Sequence, residues 1–192
     1  MPRDMMRTVD SDEAPMPHLR RYARRFGCVL LAVALTVATT WAAGAQRLPA
    51  GSVADRLVVE KAARVLSVYR GNRLLKTYRI ALGPNPVGRK EQEGDGRTPE
   101  GSYVIDFKKR DSAFHRALHI SYPNAEDRRR ARQRGVSPGG AIMIHGLPNG
   151  VGIIDKAHAW HDWTAGCIAV SNSEIEELWN VVPVGTRIDI RP

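Results

Sequence analysis

Two residues of this 192-residue chain are of types that can act together as nucleophile and base, Cys167 and His145. A free thiol titrates near about 8.5, so it is only partly ionised at neutral pH, and an imidazole that accepts its proton raises its reactivity. His145 closes the apolar run Ala141-Ile142-Met143-Ile144, which reads as a buried strand, and a strand end holds a side chain rigidly at the edge of a sheet. Gly166 precedes the cysteine. Without a Cβ it admits close approach of a substrate, and the Cys167 N–H is then placed to donate to an oxyanion. Thr164, Asp162 and His161 lie near enough in sequence to orient these groups.

Other readings of the same residues are weaker. His145, His158, His161, Asp162 and Cys167 include good zinc ligands, but His158-x-x-His161 lacks the glutamate of a helical zinc-hydrolase motif, so no metal or organic cofactor is expected. His115 and His119 read as surface or strand residues. A non-catalytic binding module would suit the chain's charge, yet it leaves the Cys/His pair without a purpose.

The elements that must position the pair are mostly strands. Leu57-Val58-Val59, Val65 to Tyr69 and Arg73 to Leu82, separated by turn signals such as Gly71-Asn72, predict a small antiparallel meander. Segment 83–101 holds five glycines and three prolines and predicts a long loop or hairpin arm, with Gly94-Asp95-Gly96 as a turn. Tyr103 to Phe107 and Ala117 to Ser121 are further strands. Asn124 is placed to cap a helix running to about Arg134, with Gly135 just beyond it. Ser173 and Glu176 have capping-box spacing for a second helix, and Arg187 to Ile190 forms a last strand. The fold expected is mainly β with a few short helices.

Charge and cysteine usage bound the setting. The formal net charge is +9. Arg20, Arg21, Arg24 and Arg25 precede an apolar run from Cys28 to about Thr39, and Ala43-Gly44-Ala45 supplies the small residues a signal peptidase accepts. Residues 1–45 are therefore expected to be an export signal, with an uncleaved anchor as the alternative, followed by a short linker over 46–55 and one domain over 56–192. Cleavage before Gln46 leaves a basic chain of net charge +7 with Cys167 as its single cysteine. In an oxidising compartment an unpaired cysteine needs a chemical reason. The arginines at 128, 129, 130, 132 and 134 lack interleaved aromatic residues and read as a solvated helix face, not a nucleic-acid site.

His145-Gly146 followed by Thr164-Ala165-Gly166-Cys167-Ile168 resembles the signature of the YkuD-type L,D-transpeptidase catalytic domain, and Gly94-Asp95-Gly96-Arg97-Thr98-Pro99-Glu100-Gly101-Ser102-Tyr103 is similar to an upstream element of that family. The resemblance covers roughly Arg56 to Pro192. It implies a β-sandwich-like domain, peptidoglycan stem peptides as partners, and acyl transfer through a cysteine thioester in the periplasm or cell envelope. By position it implies Cys167 as nucleophile, His145 as proton acceptor and donor, and Gly166 with the Cys167 N–H at the oxyanion. Thr164, Gly146, Asp162 and Arg97 are then expected around the substrate; Arg97 and Tyr103 read equally as groove residues or as supports of the Gly-rich arm. Two positions depart from the pattern: Ala165 stands where many members have histidine, and Ala169 where many have Arg or Asn. Asp162-Trp163-Thr164-Ala165-Gly166-Cys167 is similar to a branch that includes hydrolases releasing a wall-attached lipoprotein.

Overall fold

The computed structural model describes residues 47–150, 159 and 161–192. The expected export signal and His158 lie outside these residues. Among them no helix is long and apolar enough to cross a membrane.

The apolar alternation of the first segments forms the expected meander. Strand β1 (Arg56–Glu60) pairs antiparallel with β2 (Val65–Arg70), and β2 pairs antiparallel with β3 (Arg73–Arg79). The last strand, β8 (Arg187–Arg191), returns parallel to β1 and covers its other edge. Leu57, Val58 and Val59 are consequently all buried.

Strand β4 (Gly101–Ser112) links the two halves of the sheet. Its residues 101–104 pair with β8, its later residues pair with β5 (His115–Ile120), and the register shifts between Ile105 and Phe107. Such irregularities bend a strand, and here the bend carries β4 from one half to the other. Strand β5 then pairs with β6 (Met143–His145), and β6 runs parallel to β7 (Ile168–Ala169). The eight-stranded order is β3-β2-β1-β8-β4-β5-β6-β7. A bridge between Ala81, just past β3, and Ala169 in β7 brings the two ends of the sheet together, with reciprocal hydrogen bonds of 3.0 and 2.9 Å. The sandwich-like expectation is thus met by one curled sheet whose halves enclose a shared core, in which Leu57, Val59, Leu66 and Val68 meet Ile144, Ile168 and Val170.

Helix α1 (Ala125–Gln133) begins at Asn124 as expected, and the Asn124 side chain accepts from Glu126 N and Asp127 N. It buries little beyond Asp127 and Ala131, and Arg128, Arg129 and Arg132 are exposed. Helix α2 (Asn172–Val181) buries Ile175, Leu178 and Val181 in the core. Its cap is Ser171, paired with Glu174, two residues before the expected Ser173 and Glu176. Both pairs have the right spacing. Ser171 directly follows the core residues Ile168 to Val170, so the helix starts where the buried strand ends.

Segment 83–100 forms no hairpin; it is a loop held from inside by two buried lysines. Lys61 Nζ donates to Gly88 O (2.5 Å), Thr98 O (3.1 Å) and Glu100 Oε1 (2.8 Å). Lys90 Nζ donates to Asp95 Oδ1 (2.8 Å), and the Asp95 carboxylate also accepts the N–H groups of Glu91, Gln92 and Arg97. The stretch read as a linker packs on the domain: Ala54 is buried and its N–H donates to Val181 O, while Leu48 N–H donates to the Glu177 carboxylate.

Candidate active site

The parallel pairing of β6 with β7 brings the two candidate groups together. Ile144 is opposite Ile168 and His145 opposite Ala169, so Met143 stands beside Cys167. Side chains alternate along a strand, which puts His145, two residues after Met143, on the same face as Cys167. The two are diagonal neighbours on adjacent chains.

His145 is 4% exposed. Its ring is tilted against Phe114, with centroids 4.5 Å apart, and meets the edge of Trp163 at 5.8 Å. Phe114 comes from the turn between β4 and β5, and Trp163 from the chain just before Cys167. Nδ1 lies 2.7 Å from Gly146 O. A carbonyl can only accept, so Nδ1 carries the proton and Nε2 of the neutral ring holds the lone pair. Burial lowers the His145 pKa below the ordinary imidazole range, and the Gly146 carbonyl offsets this only in part.

Cys167 is a free, partly buried thiol whose Sγ lies 3.5 Å from Ala141 O. Burial raises its pKa, against the opposing influence of the Met143 N–H and the Lys90 charge. A raised thiol beside a lowered imidazole makes the resting pair neutral, with the proton on sulfur. Ionisation then requires transfer to Nε2 as the thiol attacks.

Gly166 has φ +124°, and a Cβ there would lie 2.5 Å from Arg97 O. The space beside this glycine is therefore filled by the Gly-rich arm, which corrects the expectation that it stays clear for substrate. The Gly166 N–H donates to Thr164 Oγ1 (3.1 Å) and is engaged within the turn.

Four residues expected around the substrate prove to hold the scaffold. Thr164 is buried; its hydroxyl donates to Cys167 O (2.8 Å), and so ties the turn 164–167 shut. Gly146 is buried against the start of α2, where a Cβ would meet Asn172 Oδ1 at 2.6 Å and Ile175 Cγ2 at 3.0 Å. Asp162 points to Arg64, accepting from Nη2 (2.6 Å) and Nε (3.0 Å) and from the Leu82 N–H (2.9 Å). Desolvation works against its ionised form, but the Arg64 hydrogen bonds win and its pKa is lowered. Tyr103 is buried and donates to Asp127 Oδ2 (3.1 Å). Arg97 divides its parts: its carbonyl packs on Gly166, and its side chain is 37% exposed beside Glu91.

Sequence reasoning missed Phe114, Lys61 and Lys90 and left Trp163 without a role. Phe114 sits in a turn fifty-three residues before the cysteine by chain position, and no local signal links it to His145. His115, read as bland, pairs with Glu176 at 2.7 Å and helps seat the turn on α2. Among the described residues no three His, Cys, Asp or Glu side chains gather as a metal site.

The family profile of the YkuD L,D-transpeptidase catalytic domain matches residues 54–190. YafK of Escherichia coli (strain K12), which has L,D-transpeptidase in its name, is 32% identical over 111 residues, covering 57% of this chain and 37% of YafK. YqjB of Bacillus subtilis (strain 168), named in the same way, is 24% identical over 160 residues, covering 83% of this chain and 82% of YqjB. A variant of the helical cell shape determining protein Pgp2 from Campylobacter jejuni superposes with TM-score 0.56 at 25% identity, over 78% of this chain and 51% of that one. The chain thus spans little more than a third of YafK and about half of the Pgp2 chain. With both motifs inside the matched span and the curled sheet shared, the chain belongs to the YkuD L,D-transpeptidase catalytic domain family.

Proposed function

We propose that the chain is an exported cysteine acyltransferase acting on peptidoglycan stem peptides through a thioester on Cys167. The observation that carries this reading is the β6–β7 register, which sets Cys167, just before β7, diagonal to His145 on β6, with Nδ1 of His145 committed to Gly146 O. In the first half-reaction Nε2 takes the thiol proton while sulfur attacks the peptide carbonyl, and the Cys167 N–H donates to the resulting oxyanion. The C–N bond breaks, the leaving amine takes the proton back from His145, and the thioester remains. In the second, an amine attacks the thioester carbonyl and gives its proton to His145, which returns it to the departing sulfur.

A second reading keeps this nucleophile and makes water the acceptor, giving a hydrolase that trims stem peptides or releases a wall-attached lipoprotein. Ala165 and Ala169 favour it, since neither methyl group can hydrogen-bond an acceptor amine. Ala169 is fully buried, and its backbone bridges Ala81.

The test is incubation with peptidoglycan fragments, with intact-mass spectrometry of the protein and chromatography of the fragments. An acyl adduct on Cys167 with cross-linked or exchanged products establishes the transferase. Shortened fragments without a new bond establish the hydrolase. Cys167→Ala is expected to abolish either, and turnover that survives this substitution overturns both.

A further inference from the structure

Two adjoining cavities lie between the Gly-rich arm and helix α1. One, of about 220 Å³, is lined by Arg89, Lys90 and Glu91 of the arm and by Tyr122, Arg130 and Arg134 across from it. The other, of about 330 Å³, is lined by Asn85, Asp95 and Arg97 and shares Glu91 and Arg134 with the first. The Glu91–Arg134 ion pair is therefore the partition between them. Counted together, the linings place Arg89, Lys90, Arg97, Arg130 and Arg134 against Glu91, Asp95 and Asp127, five cations facing three carboxylates.

The cations are not equally committed. Lys90 is buried on Asp95, and Arg130 is held by Glu126 and Asp127 on its own helix. Arg97 reaches Glu91 only at 3.8 Å, beyond hydrogen-bond length. Arg89 is exposed and has no charged or hydrogen-bonded partner among the described residues. Arg134 is held by Glu91, an exposed carboxylate that a ligand carboxylate could replace.

The arm that lines the groove also packs on the nucleophile turn. Arg97 O packs on Gly166, the residue before Cys167, and a Cβ on Gly83 would lie 2.1 Å from Gly96 O and 3.0 Å from Thr164 O, so the arm backbone lies close to the nucleophile turn there too. The loop 137–141 joins the two sites from the other side: Cys167 Sγ contacts Ala141 O, and the Tyr122 hydroxyl, in the wall of the first cavity, donates to Pro138 O at 2.8 Å.

We infer that this groove binds the free carboxylates of the peptide substrate, with Arg89, Arg97 and Arg134 as the carboxylate-binding cations and Glu91 as an internal competitor for Arg134. Arginine is suited to this because its planar fork meets a carboxylate through two parallel hydrogen bonds. The inference rests on the peptide substrate proposed above and adds how its acidic groups are recognised.

The experiment uses the full chain carrying Cys167→Ala and two synthetic stem tetrapeptides, one with all carboxylates free and one with them amidated. Calorimetry gives the ratio of their affinities. Arg97→Gln and Arg89→Gln are each expected to lower the preference for the free form by about tenfold, the range expected for one lost charge-assisted hydrogen bond. Glu91→Gln is expected to raise it about threefold, a gain that general damage to the arm would not produce. Arg89 lacks partners, so its substitution keeps the test valid if Arg97→Gln unfolds the arm. An unchanged ratio in Arg89→Gln and Glu91→Gln overturns the groove. The parallel assay is turnover of both peptides by the chain with Cys167 intact. Equal turnover of both forms overturns the groove and leaves the acyltransferase standing; no binding and no turnover of either overturns the acyltransferase and the groove with it.

Discussion

The two sides of the candidate site are built from opposite materials. Around His145 the wall is aromatic and dry: Phe114 and Trp163 flank a ring that is 4% exposed, and the nearest polar partner is a backbone carbonyl. Between the arm and α1 the wall is charged and open, with arginines that are exposed or loosely paired. A buried aromatic wall can hold an imidazole in one orientation and one protonation state, but it offers little to distinguish one anionic peptide from another. A solvated groove of arginines can distinguish them but cannot fix a base within tenths of an ångström. The turn 164–167 is the joint between the two sides, since Trp163 faces one and Gly166 packs on the other.

The sharpest way to break this arrangement is at the joint. Gly166→Ala places a Cβ 2.5 Å from Arg97 O at φ +124°, where an L residue is strained even with space around it. Backbone carbonyl and turn must part, so we expect a loss of about 2–4 kcal/mol in unfolding free energy, together with loss of activity. Urea unfolding checks the first and peptide turnover the second. A variant of wild-type stability would mean that the arm does not press on the nucleophile turn as described.

A gentler change tests the aromatic side alone. Phe114→Ala lets water reach the His145 ring and weakens the burial that lowers its pKa. The base must be neutral to accept the thiol proton, so kcat/KM falls as pH drops through the His145 pKa, and in the wild type that limb lies below the ordinary imidazole range. In Phe114→Ala the limb should move up toward about 6.5, with a fall in kcat of about tenfold from a looser ring. Phe114→Leu keeps the site apolar and should restore most of the limb's position. A pH profile unmoved by either substitution would remove Phe114 from any role in setting the base.

What the sequence revealed divides along the same line. Cys167, His145 and Gly166 draw attention in the sequence because they sit in one short motif and at the end of one apolar run, and the strands followed from local alternation. The Asn124 cap was legible because a single side chain makes it. The start of α2 was displaced because Ser171/Glu174 and Ser173/Glu176 carry the same spacing signal, and only the burial of Ile175, Leu178 and Val181 chooses between them. Thr164, Gly146 and Asp162 stand out in the sequence beside the cysteine and histidine, and in the structure they tie down the turn and its neighbours; proximity in sequence cannot tell a side chain facing substrate from one tying down a turn. Phe114 and the two buried lysines depend on contacts between distant segments, and no periodicity encodes those.

Asp162 carries the smallest of the expected effects. Its carboxylate joins the nucleophile turn to Arg64, just before the second strand, and to the Leu82 N–H. Asp162→Asn retains an acceptor but removes the charge, and the pair is partly exposed, so a loss of about 1–2 kcal/mol at neutral pH is expected. The sign with pH follows from the lowered pKa of Asp162 in the fold. Such a group stabilises fully above the ordinary carboxylate range, and its contribution disappears as the pH falls through the depressed value. The stability gap between wild type and Asp162→Asn should therefore be widest at neutral pH and close on acidification, as followed by urea unfolding across the acid range. A gap of constant size would mean that Asp162 holds the turn by shape and hydrogen bonding alone, and that the charge on Arg64 plays no part in keeping the turn 164–167 against the closed end of the sheet.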